Sequence, residues 1–121
     1  MIMWDSEMQE SLYRLEASVF QALAHPTRIA IVELLRDEGE VPVGCICERL
    51  GLEQANVSQH LAVLRSRQVV KWRRDGNKVL YALRDRVVIQ ILDLMRRCFQ
   101  SHLKQVLTLL GAMSIEENSA S

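Results

Sequence analysis

The chain is poor in cysteine. Its 121 residues include three, an odd number without the dense spacing of a disulfide scaffold, which excludes a small secreted protein stapled by bridges. It also lacks net charge, with 15 Lys and Arg against 15 Asp and Glu, so composition alone points to neither nucleic acid nor membrane. Any electrostatic role must therefore be local. No apolar run approaches the length of a bilayer span, and the N-terminal stretch MIMWDSEMQE has no basic region followed by an apolar one. The expectation is a soluble, cytoplasmic chain with reduced thiols and no membrane partner. There is no internal repeat, no glycine run that would cradle phosphate and no paired-carboxylate pattern, and the three histidines lie in separate helical contexts. These absences argue against an enzyme.

What is present is helical periodicity. The length fits one domain, expected over 1–113, with the polar stretch 114–121 as a disordered tail that has little to bury. Asp5 or Ser6 caps a first helix whose Met8, Leu12, Leu15, Val19 and Leu23 recur at helical spacing. Pro26 opens a second helix with Ile29, Val32 and Leu35 on one face and Gly39 as its stop. Val43 to Leu50 is a short third helix closed by Gly51. Glu53 to about Arg67 is a fourth, with Val57, Leu61 and Leu64 inward. A short helix, a glycine turn and a longer helix make a helix-turn-helix pattern. The period then changes. In VVKWRRDGNKVLYAL, β-branched and aromatic residues alternate with basic ones around Asp75-Gly76-Asn77, predicting a hairpin of strands near Val69 to Arg74 and Lys78 to Leu83. Asp85 opens a last helix expected to reach about Met113.

The predicted fold is mainly α with a β-hairpin wing, an α+β winged helix-turn-helix in the order four helices, two strands, one helix. The last helix carries two apolar stripes, one through Ile91, Met95, Cys98, His102, Val106 and Leu109, the other through Val88, Leu92, Phe99, Leu103 and Leu110. That is more apolar surface than one small domain covers, so a homodimer through the first and last helices is expected. Between Gln54 and Lys78 the charges are Arg65, Arg67, Lys71, Arg73, Arg74 and Lys78 against Asp75, a local footprint for phosphate. Gln54, Asn56, Ser58 and Gln59 present amides and a hydroxyl suited to base edges in a major groove, while the basic hairpin suits backbone phosphates. The expected partner is double-stranded operator DNA.

In FQALAHPTRIAIVELL, LGLEQANVSQHLAVLR and VVKWRRDGNKVLYAL the sequence resembles the ArsR/SmtB family of winged-helix repressors, over about Val19 to Leu83. The resemblance implies a homodimeric repressor that binds an inverted repeat and releases it on a signal. It adds His60, within the Ser58-Gln59-His60-Leu61 core, to the DNA-binding positions, with a packed, hydrogen-bonded histidine as the alternative for that residue. Glu53 departs from the serine cap usual in the family.

The stretch GCICERL raises the question of a sensor. Thiolates suit arsenite and soft metal ions, which makes Cys45, Cys47 and Cys98 candidate ligands and such an ion the expected inducer; no cofactor is otherwise implied. On a formed helix, however, residues two apart point away from one another. In the register of Leu50-Gly51-Leu52, the family's Cys-Val-Cys-Asp-Leu site falls on Pro42 and Gly44. The family's other site, on the last helix, falls on Val87, Cys98 and Ser101, so a zinc site is not expected. An oxidant or persulfide switch at the same thiols, and a regulator without thiol sensing, stay open, as does a winged protein-interaction module that has lost operator binding.

Overall fold

In the computed structural model, residues 5–120 are described, with side chains described for 5–112. The elements are α1 Ser6–Leu23, α2 Pro26–Glu38, β1 Val41–Pro42, α3 Val43–Leu50, α4 Gln54–Ser66, β2 Val70–Asp75, β3 Lys78–Leu83 and α5 Val87–Ala120. They fall into two compact units, Met1–Arg86 and Val87–Ser121.

The first unit follows its capping signals. The Asp5 Oδ1 accepts the Met8 N–H at 2.8 Å and starts α1. The α2 helix begins with His25 as its cap, the ring Nδ1 accepting the Thr27 N–H at 3.1 Å, and Pro26 sits in its first turn, where a missing N–H costs nothing. Gly39 and Gly51 close α2 and α3 at φ 80° and 65°, backbone that a side chain would strain. At Gly51 the Leu52 N–H reaches the Cys47 carbonyl, the six-to-one bond of a Schellman cap. The α4 helix closes the same way without a glycine: Gln68 takes φ 64° and the Val69 N–H bonds the Leu64 carbonyl.

The core of this unit is apolar. Ile31, Val32 and Leu35 of α2, Ile46 of α3 and Val57, Leu61 and Leu64 of α4 are fully buried or nearly so, together with Val69, Val70, Val41 and Tyr81. The sheet has three strands in the order β1-β3-β2, all antiparallel, where two were expected. The added strand is two residues long, pairing Val41 with Tyr81 and Pro42 with Leu80, and sequence periodicity has no purchase on so short a piece. In the hairpin, Asp75 pairs with Lys78 and Gly76-Asn77 form the loop. Gly76 has φ 62°, as the first central residue of a type II′ turn requires.

The second unit is α5. It extends past the end expected near Met113, and the tail expected at 114–121 lies outside the residues whose side chains are described. At 1.5 Å per residue its 34 residues span about 50 Å. Leu94, Phe99, Leu103, Leu107, Leu109 and Leu110 are each more than half exposed. On α1 the same is true of Tyr13, Leu15 and Phe20.

Candidate nucleic-acid interface

The packing of α4 decides which of its residues face outward. Burying Val57, Leu61 and Leu64 on one stripe turns Gln54, Asn56, Ser58 and Gln59 to solvent, where all four are exposed. Glu53 is the N-cap of α4 but its side chain makes no cap hydrogen bond, leaving an acid beside the free N–H groups of the first turn.

His60 parts company with this row. It is half-buried, with its Nδ1 accepting from Arg28 Nη1 at 3.4 Å and its ring 4.4 Å from that of His25. Burial, reinforced by the neighbouring His25 and Arg28, holds its pKa below the ordinary 6.5. The ring is therefore neutral near pH 7 and serves the packing of α2 against α4, apart from the exposed row of Gln54, Asn56, Ser58 and Gln59. Arg28 is the center of this cluster. It also donates through Nε to the Ala22 carbonyl at 2.6 Å and through Nη2 to the Gln21 carbonyl at 3.3 Å, closing the end of α1.

The strand pleat sorts the wing cations. Trp72 is paired with Tyr81 and Arg74 with Val79, so these two share the sheet face of the buried Tyr81. On that face the Arg65 guanidinium of α4 lies 5.7 Å from the center of the Trp72 ring, a cation–π contact tying the end of α4 to the wing. Lys71, Arg73 and Asp75 alternate onto the opposite face. There Arg73 meets Glu40, which no sequence pattern had singled out: Nε and Nη2 donate to the two carboxylate oxygens at 2.7 and 2.6 Å. The hydrogen bond from Arg73 and, less strongly, the charges of Arg73 and Lys71 hold Glu40 below the usual carboxylate range. Arg65, Lys71, Arg73, Arg74 and Lys78 are all exposed.

A groove of about 430 Å³ lies between α3, the start of α4 and the wing tip, lined by Cys45, Glu48, Gln54, Asn77 and Lys78 among others. All three thiols are free; Cys45 and Cys98 are exposed and Cys47 is half-buried. Both members of the Cys-X-Cys pair belong to the formed α3. Among the described residues no three His, Cys, Asp or Glu side chains converge as a metal site.

A helix-turn-helix domain family matches residues 23–71, which run from the end of α1 into the wing. The HTH-type transcriptional regulator Rv0081 of Mycobacterium tuberculosis is 41% identical over 88 residues, covering 73% of this chain and 77% of that protein. Its crystal structure superimposes with a TM-score of 0.68 over 79% of this chain and 96% of that one, at 40% identity. The biofilm growth-associated repressor of Xylella fastidiosa is 33% identical over 89 residues, 74% of this chain and 77% of its own. The homodimeric winged helix-turn-helix DNA-binding domain of Mb0332 from Mycobacterium bovis gives a TM-score of 0.73 at 28% identity, over 86% of this chain and 95% of that domain. No helix among the described residues is long and apolar enough to cross a membrane.

Proposed function

Because the chain belongs to the ArsR family of winged helix-turn-helix transcriptional regulators, we propose that it is a cytoplasmic repressor acting as a homodimer on an inverted-repeat operator. The observation that carries this reading is the exposed row Gln54, Asn56, Ser58 and Gln59 on α4 beside a wing with Lys71, Arg74 and Lys78 exposed. Amides on a helix read base edges in a major groove, and the cations bind phosphate. The unpartnered apolar faces of α1 and of α5 are each covered by a second copy, and the two α4 helices then lie about 34 Å apart, one turn of duplex. If the dimer neutralises about eight phosphates, log affinity falls with log salt at a slope near −7. A flat salt dependence on operator selected from a random library contradicts the assignment.

The inducer in this reading is arsenite or another thiophilic ion held by Cys45 and Cys47, with Cys98 as a further ligand. Drawing Cys45 and Cys47 together unwinds the first turn of α3 and tilts α4, and a coupling of about 1–3 kcal/mol suffices for release. A second reading, oxidation or persulfidation, is favoured by the exposure of Cys45 in the groove shared with Gln54 and Lys78, where an added group obstructs docking without any chelate. Titrating the DNA-bound dimer with arsenite, cadmium and a persulfide donor separates the two. Release by the ions and loss of response in both Cys45→Ser and Cys47→Ser supports chelation; release by the persulfide donor, lost in Cys45→Ser alone, supports modification. Unchanged release in every cysteine variant removes thiol sensing.

A further inference from the structure

The wing is less cationic than its sequence suggests. Of the six basic residues between Arg65 and Lys78, Arg73 is gripped in the structure by a carboxylate that lies 33 residues earlier, on the turn between α2 and β1. The pairing is a two-point fork, each guanidinium nitrogen on its own oxygen, and both side chains remain accessible, at 56% and 39% exposure. A phosphate diester offers an arginine the same pair of oxygens in the same plane that a carboxylate does.

From this geometry we infer that Glu40 is an affinity-setting residue: its carboxylate stands in for DNA phosphate on Arg73, so the wing arginine engages the duplex only by exchanging one acceptor for the other. The inference rests on the DNA-binding reading and adds a residue that lies outside both the helix-turn-helix and the hairpin. The exchange is feasible because the pair is solvent-accessible and the acid is held by the arginine fork, with the Lys71 charge nearby, and not by a buried network. It also explains how an acid sits against a phosphate-binding wing without abolishing binding: it lowers the affinity and hides one phosphate contact from the salt dependence. Arg74 and Trp72, on the other face of the strand, are outside its reach.

The test uses the full chain and a random-sequence duplex about three helical turns long, with affinity followed by anisotropy across a salt series. Glu40→Gln keeps the size of the side chain and removes its charge. The expected result is binding about two- to fivefold tighter at low salt for each chain of the dimer, the scale of an exposed ion pair, with a slope steeper by about 0.9 per chain, or about 1.8 for the dimer. The gain disappears in an Arg73→Gln background, so the double variant binds no tighter than Arg73→Gln itself. Unchanged or weaker binding by Glu40→Gln shows that Glu40 merely braces the wing and overturns the inference. An equal gain with and without Arg73 reduces it to long-range charge removal and overturns it as well. Wild-type protein that binds no duplex at any salt overturns the DNA-binding reading and this inference together, whereas wild-type binding with no Glu40→Gln gain overturns the inference alone.

Discussion

Single side chains set two kinds of constraint in this chain. Arg28 shows the first, a cation spent on internal carbonyls and on a histidine of the neighbouring helix, so that a basic residue serves the frame and not the ligand. His60 shows the second. Its pKa is depressed mainly by burial, with His25 and Arg28 adding to the effect, so the folded state binds a proton less readily than the unfolded chain. The stability this confers is fully present above the unfolded value of 6.5 and is lost as pH falls through the lower folded value. Urea midpoints of the wild type are therefore expected to drop between neutral pH and mild acid, and this component of the drop is expected to be absent in His60→Gln. A wild-type midpoint flat across that range contradicts the packing role. Arg73 sits at the boundary between frame and ligand, and its pKa is raised chiefly by the hydrogen bond to Glu40.

At the scale of elements, the proposed function divides the labour of recognition between α4, which reads sequence, and the wing, which supplies charge. Asn56→Ala is expected to cost about 1–3 kcal/mol per half-site on the selected operator and little on random DNA, while Lys78→Gln weakens both equally and flattens the salt slope by about 1 per chain, or about 2 for the dimer. Binding isotherms on the two duplexes check the distinction. The helices that frame these elements were readable because their ends are written locally: Asp5, Pro26, Gly39 and Gly51 each mark a boundary within a residue or so of where it falls. The hairpin was readable from Asp75-Gly76-Asn77, although pairing of Asp75 with Lys78 moves the loop onto Gly76-Asn77. What escaped was whatever depends on distant partners. The strand Val41–Pro42 exists only because β3 offers an edge to it, and Gln68 ends α4 in a conformation that glycine would have announced. Among candidate site residues, the outward row of α4 follows from its periodicity. The withdrawal of His60 follows from Arg28 and His25, and the capture of Arg73 from Glu40, in each case a neighbour more than 30 residues away.

At the scale of the whole molecule, the exposed apolar faces are the dominant unsatisfied feature. Leu103, Leu107, Leu109 and Leu110 on α5 and Tyr13, Leu15 and Phe20 on α1 leave more hydrocarbon in water than a stable single chain of this size retains. Leu107→Glu is expected to shift the sedimentation coefficient toward one chain and to weaken operator binding by more than tenfold, since two linked half-sites become one. A variant that stays dimeric with full affinity contradicts the assignment of the α5 face. The same exposed faces make the working species the product of an encounter between two chains. Below the dissociation constant for pairing, halving gene dosage leaves about a quarter of the active form, so response to expression level is quadratic at low copy number and linear only once chains are abundant.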